Sequence, residues 1–301
     1  MSMTTEPTQP LPHSGAPTAS QQALGPKAPS FADRLFALLS RVRPFGIDVF
    51  CTSKKYLIYN LVGRNLKVKY RRSILGLFWT LAHPLSMTAI YFFVFKVVLN
   101  VQMPHYLVFM LSGILTWGFF ASSVSEGLES LVGNMGLLTK IPIPIQVFPF
   151  AGTLTNLSTW VFSLPILLGA AVISGTGIGW SILSLPYFIL ALFVMAYSLS
   201  VTLGIAFVYF RDLRHILNLI LQAWFYATPV IYNADMIPPK YHWILFLNPV
   251  AKPITAVHGL FVDGRWPTDG EWIMTAVWAF TLLMIALFAH KKFSGGLIEN
   301  L

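Results

Sequence analysis

The chain has 301 residues, 55% of them hydrophobic and only 10% charged, and its mean hydropathy is +0.67. A soluble domain of this length needs more charged surface, so the composition excludes an ordinary water-soluble globule and indicates a protein embedded in a bilayer. The net charge of +9 does not indicate a nucleic-acid partner, because the basic residues flank apolar segments.

Residues 1–30 carry six prolines among Ser, Thr, Gln, Ala and Gly, with few large apolar residues to bury. This composition predicts a disordered tail, and it lacks the basic and apolar regions of a secretory signal. Ser30 and Asp33 then mark the start of a short helix with Phe31, Leu35, Leu38, Leu39 and Val42 on one face. A second amphipathic segment follows, in which Ile58, Val62, Leu66 and Tyr70 recur every four residues and Arg64, Lys67 and Arg71 take the other side. Both helices are expected to lie at the membrane surface, with the basic side on anionic headgroups. Lys69 interrupts the apolar face and is expected to snorkel.

Six apolar runs come next: Leu75 to Val98, Tyr106 to Val124, Val147 to Ile173, Leu183 to Phe207, Ile216 to Ile231 and Trp272 to Ala289. A hydrocarbon core about 30 Å thick takes roughly 20 helical residues to cross, and no period-two alternation suggests a barrel. The expected fold is an all-α integral membrane protein of six transmembrane helices. It comprises a tail (1–30), cytoplasmic amphipathic interface helices (31–74), a six-span domain (75–292) and a cytoplasmic C-terminal tail (293–301). Placing both termini in the cytoplasm puts 16 of the 20 Lys and Arg residues inside, as the positive-inside rule expects. Cys51 is the only cysteine, so neither a disulfide framework nor a CxxC metal site exists.

The connector Glu126 to Gln146, with Gly133, Gly136, Lys140, Pro142 and Pro144, is the longest cytoplasmic stretch between spans and presents a surface to a partner. In the tight turn Arg211 to His215 the mixed charges are expected to pair locally or with neighbouring cytoplasmic helices. Thr228-Pro229 is expected to break or kink the fifth span, and Asn233 to Gly270 is too apolar for a free loop. Two short re-entrant helices dipping into the outer leaflet account for it. Gly175, Gly177 and Gly179 sit in a short external turn.

There is no GxxxxGKS or GxxxxGKT phosphate loop and no HExxH, so ATP binding of that kind and metal chemistry are not expected of this chain. The interior offers uncharged polar stripes instead. Thr80, His83, Met87 and Tyr91 align on the first span, Gly152, Asn156, Thr159 and Ser163 on the third, and Asn218 and Gln222 on the fifth. Such residues either join packed membrane helices by hydrogen bonds or face a pathway. With Trp79, Trp117, Trp224 and Tyr226 they make a polar and aromatic wall suited to a glycan, with flat rings against C–H faces and amides and hydroxyls bonding its OH groups. Glu126 and Glu129 are the only nearby acidic pair, and they are read as capping or solvating a helix end.

The run Arg64 to Gly76, RNLKVKYRRSILG, followed by Trp79 and Pro84, resembles the approach to the first span in type-2 ABC exporter permeases for O-antigen, capsule and teichoic acid polymers. Asn134, Gly136, Leu137, Leu138, Lys140, Pro144 and Pro149 resemble that family's coupling segment. Arg211-Asp212, His215, Gln222, Tyr226, Pro229 and Tyr232 resemble its fifth-span signature, and Asn248-Pro249 its external segment. The resemblance covers roughly Lys54 to Lys292. Asn65, His83 and Ile145-Gln146 depart from its usual pattern.

The resemblance implies a homodimeric permease in the inner membrane, joined to two nucleotide-binding ATPase subunits that hold ATP and Mg, with no cofactor on this chain. The cargo it implies is a lipid-linked polysaccharide. The ATPase subunits would push on Asn134, Gly136, Leu137, Leu138, Lys140 and Pro144, and on the interface helix bearing Arg64, Lys67, Tyr70 and Arg71. The substrate channel would be lined by Trp79, His83, Tyr91, Trp117, Asn156, Thr159, Asn218, Gln222, Trp224 and Tyr226. Alternatives are a drug or small-lipid exporter of the same class and a membrane acyl- or glycosyltransferase.

Overall fold

A computed structural model describes residues 52–70, 78–138 and 143–293, with side chains described except at 52–55, 70 and 78–80. The tail, the first interface helix, Arg71, Lys140 and residues 294–301 lie outside the described residues. Helix α1 spans Thr52–Tyr70, and α2 spans Phe78–Phe92 and continues as a π turn over Phe93–Val98. Then come α3 (Tyr106–Gly133), the one-turn α4 (Met135–Leu138), α5 (Val147–Ile173), α6 (Leu185–Tyr209) and α7 (Leu213–Ala227). Two short helices, α8 (Trp243–Leu247) and α9 (Ala251–His258), precede the last helix, α10 (Asp269–Phe293). No strand occurs among the described residues.

Five helical segments are long and apolar enough to cross a bilayer: Leu81–Val98, Tyr106–Gly133, Val147–Ile173, Trp180–Tyr209 and Asp269–Phe293. The expected fifth span is shorter than its apolar run. α7 has 15 residues, about 22 Å of helix at the usual rise, and it ends where Thr228 turns extended ahead of Pro229. Beyond it, Pro239–Leu247 and Ala251–Asp263 meet at 105°. This bent pair occupies the segment whose apolar character led to the expectation of two short helices.

α3 lies at the centre, with 78% of its apolar window buried, whereas α2 lies at the edge with 6%. The extensive crossing of α3 on α6 follows from small residues spaced four apart on both helices. Ser200 Oγ donates to the Ser123 carbonyl at 2.9 Å. A Cβ at Gly127 would collide with the Ser200 side chain, and one at Gly204 would stand 3.2 Å from the Gly127 carbonyl oxygen. Close backbone approach is the main source of helix adhesion where lipid leaves little hydrophobic drive.

α3 runs nine residues past the expected span end at Val124, so much of the expected connector is helix. Ile58 and Leu61 of α1 are buried, and α1 packs along α5. At the far end α10 begins with a capping box, in which Glu271 Oε2 accepts from the Thr268 backbone N–H at 2.7 Å and Thr268 Oγ1 accepts from the Glu271 N–H at 3.3 Å. Arg265 forks onto the same carboxylate at 2.7 and 2.9 Å, which raises the guanidinium further above its ordinary value. Gly264, at φ 61°, packs its backbone against Gly177, and Ser181 Oγ donates to the Gly264 carbonyl. Of the three turn glycines only Gly175 is left-handed, at φ 68°.

Candidate functional site: a polar and aromatic cavity

A cavity of about 770 Å³ opens between α1, α2, α3, α5 and α7. Pro84 sits inside α2 and lines the cavity, about one turn before Met87 and two before Tyr91. Thr88 Oγ1 bonds back to the Pro84 carbonyl at 2.8 Å. Of the ten expected channel residues, His83, Tyr91, Trp117, Asn156, Thr159, Gln222 and Tyr226 line the cavity, joined by Met87, Ser122, Trp160, Ser163 and Phe225. Three helical stripes read separately therefore converge on one space.

Two expected residues do not line it, and a third is undescribed. Asn218 lies exposed a turn before Gln222, outside the cavity wall. Trp224 stands behind the wall, edge-on to Trp117 at 6.1 Å and to Phe120 at 5.4 Å. The Trp79 side chain lies outside the described residues.

Tyr91 stacks on Phe225 at 5.8 Å, its hydroxyl is 3.5 Å from that of Tyr226, and Trp117 meets Phe225 edge-on at 5.9 Å. These rings form a continuous apolar surface interrupted by hydroxyls and amides.

The Trp224 indole N–H donates to Asn248 Oδ1 at 2.9 Å, which also accepts from the Val250 N–H. Asn248 Nδ2 in turn donates to Thr228 Oγ1 at 2.8 Å and to the Ala227 carbonyl at 3.2 Å. The amide thus has all its principal partners and fastens the bent α8–α9 pair to the end of α7. On the same side His258 stacks on Phe109 at 3.8 Å, with its ring nitrogens 3.0 Å from Ser112 Oγ and from the Pro229 carbonyl oxygen. Gly113 leaves room for that imidazole, since a Cβ there would be 2.6 Å from His258 Cε1. His258 has no periodic signature in the sequence, so pattern alone does not reveal it.

At the opposite end Lys69 does not snorkel. Its ammonium donates to Glu126 Oε1 and Asn156 Oδ1, each at 3.0 Å, and Asn156 Nδ2 donates to Glu126 Oε2 at 2.8 Å. Glu129 pairs with Arg214 at 2.8 Å, so the two glutamates are separate ion-pair partners and not a catalytic pair. The charge breaking the apolar face of α1 was the one available sign of this triangle.

Arg64 Nη2 donates to Asn134 Oδ1 at 2.6 Å, and Asn134 Nδ2 donates to the Ser130 carbonyl at 2.7 Å, so α1 touches the segment between α3 and α4. Lys67 and Gly136 are exposed, and Leu137 and Pro144 are partly buried. Leu138 is buried and supports α4 from within, as Ile145 does beyond it.

Residues 56–262 match the ABC-2 type transporter family. The chain belongs to that family. The ABC-2 chain is 34% identical to the O-antigen export system permease protein RfbA of Myxococcus xanthus over 76% of its own length and 89% of the relative's. It is 31% identical to the protein of the same name in Klebsiella pneumoniae, covering 69% and 81%. To the polysialic acid transport protein KpsM of Escherichia coli it is 22% identical, covering 79% and 93%. It is therefore a multi-pass membrane subunit of a transporter and not an enzyme, and its family implies an ATPase partner.

Proposed function

We propose that this ABC-2 permease exports a lipid-linked polysaccharide, O-antigen-like in kind, from the cytoplasm across the inner membrane. The observation that carries this reading is the cavity wall, where rings alternate with His83, Asn156, Thr159, Ser163 and Gln222. A sugar hydroxyl left bare in apolar surroundings costs roughly 2–7 kcal/mol, and such a wall offers it many replaceable partners. The names of the relatives support the same cargo class.

In this reading two copies of the chain face each other and two ATPase subunits hold ATP and Mg. Ile216, Leu219 and Ile220 on α7 and Ile90, Phe93 and Val97 on α2 are exposed apolar residues that a second copy would cover. Both termini lie in the cytoplasm, with residues 31–74 as the interface segment and residues 293–301 as the C-terminal tail. ATPase closure pushes on α4 and, through Arg64 and Asn134, on α1, while the α8–α9 pair gates the exit. Deletion of the gene tests this: lipid-linked glycan should accumulate inside the cell as surface glycan disappears. Unchanged surface glycan overturns it.

A further inference from the structure

A second cavity, of about 510 Å³, opens at the His258 end of the bundle, and none of its described lining residues belongs to the larger one. Its size falls in the range of about 300–1,000 Å³ usual for small-ligand sites. The two cavities are neighbours. Tyr232 of the smaller one donates from its hydroxyl to the carbonyl of Tyr226, a wall residue of the larger one, at 2.9 Å.

The smaller cavity is lined by charges of both signs. Asp235 and Asp263 bring carboxylates, which only accept hydrogen bonds, and Arg265 brings a guanidinium, which only donates them. Arg265 is anchored, because Glu271 takes two of its five donors at 2.7 and 2.9 Å and the Trp266 carbonyl a third at 3.4 Å. Its Nε stands 4.0 Å from Asp263 Oδ2, beyond hydrogen-bond distance. Gly259 leaves room for the group, since a Cβ there would come within 2.6 Å of that Nε. Asn233 contributes an amide to the lining and Tyr232 an aromatic ring.

A cation in this space would meet Arg265, and an anion would meet Asp235 and Asp263. Hydroxyl groups both donate and accept, so an uncharged polyol pairs with the two sets at once. We propose that this cavity is an exit subsite for an uncharged, hydroxyl-rich sugar unit, with Asp235 and Asp263 accepting from its hydroxyls, Arg265 donating to them and Tyr232 covering a C–H face. The subsite rests on the export reading above, in which a sugar leaving the larger cavity past Tyr226 meets Tyr232 next.

The probe is the cell's own glycan, captured by a photoreactive benzoylphenylalanine placed in the full-length protein instead of Gln102 or Met236, both exposed residues of the lining. Trp180, exposed beside the same loop but outside the lining, is the control, and Gln222 reports on the larger cavity. Illumination of whole cells should attach a periodate-stained glycan ladder at Gln102 and Met236 and none at Trp180. Asp235→Ala combined with Asp263→Ala should cut that yield roughly tenfold, as the loss of two ordinary hydrogen bonds does, with labelling at Gln222 retained. Asp235→Asn combined with Asp263→Asn keeps an acceptor oxygen at each position and should keep most of the yield.

A loss in the Asn pair as large as in the Ala pair would point to a bound cation and overturn the sugar assignment. No ladder at Gln102 and Met236, or equal labelling at Trp180, also overturns it. Those results, with Gln222 labelled and surface glycan dependent on the gene, would remove the exit subsite alone. Surface glycan indifferent to deletion would instead remove the export reading on which the subsite rests.

Discussion

Arg64 on α1 donates from Nη2 to Asn134 Oδ1 at 2.6 Å, a contact 70 residues apart in sequence that joins the interface helix to the segment expected to meet the ATPase. Arg64 is exposed, so the bond is worth at most about 1 kcal/mol of stability, and its value is mechanical. Arg64→Ala should leave the melting temperature within a few degrees of wild type and lower substrate-stimulated ATP turnover in the assembled complex several-fold. Equal stimulation in the variant would show that α1 and α4 move independently.

Asn248 makes four hydrogen bonds, three of which tie the bent α8–α9 pair to α7 and its C-terminal end, and it is 6% exposed. Replacing it by Ala takes the acceptor from the Trp224 indole N–H and the Val250 N–H, at a cost of about 1–3 kcal/mol for each buried group left unpaired, while Thr228 Oγ1 keeps its bond to the Trp224 carbonyl. Asn248→Ala should therefore melt well below wild type and lose export. Asn248→Asp, which retains the acceptor for Trp224 and the Val250 N–H, should fall between them in the melting curve.

The α3–α6 crossing depends on the absence of a side chain at Gly127, where a Cβ would run into Ser200. Gly127→Ala should destabilise the bundle by about 1–3 kcal/mol, the usual range for overpacking. Adding Ser200→Gly removes the colliding Cβ and Oγ and should recover part of the loss. A double-mutant cycle read by thermal unfolding in nanodiscs tests it, and purely additive losses would place the strain elsewhere.

Tyr91 and Tyr226 present their rings to the cavity with hydroxyls 3.5 Å apart. Tyr226 is 54% exposed, so the double Ala variant should assemble and melt much as wild type does. Its surface glycan should fall sharply while the intracellular pool rises. Normal surface glycan in an assembled double variant would remove both rings from the pathway.

Lys69 and Asn248 mark the boundary of what local pattern reveals. The periodicity of three polar stripes pointed to His83, Tyr91, Asn156, Thr159 and Gln222, because a stripe at helical spacing must share a face whatever that face meets. It failed at Asn218, as the choice of aromatic residues did at Trp224, because sharing a helix with cavity residues does not set how far round the helix the cavity extends. It also read Glu126 and Glu129 as solvated, since their cations lie 57 and 85 residues away.

The sequence alone determined that the protein is a helical membrane bundle, where its apolar runs lie and that Thr228-Pro229 disturbs the fifth of them. Length and hydropathy decide burial in lipid, and Pro229 has no N–H to extend a helix. Only the tertiary structure decided that α3 is central, that three stripes from separate helices enclose one cavity, and that Lys69 turns toward Glu126 and Asn156. Those outcomes depend on which backbones approach closely, through Gly127 and Ser200 above all, and on charges meeting across long stretches of chain, neither of which leaves a periodic mark.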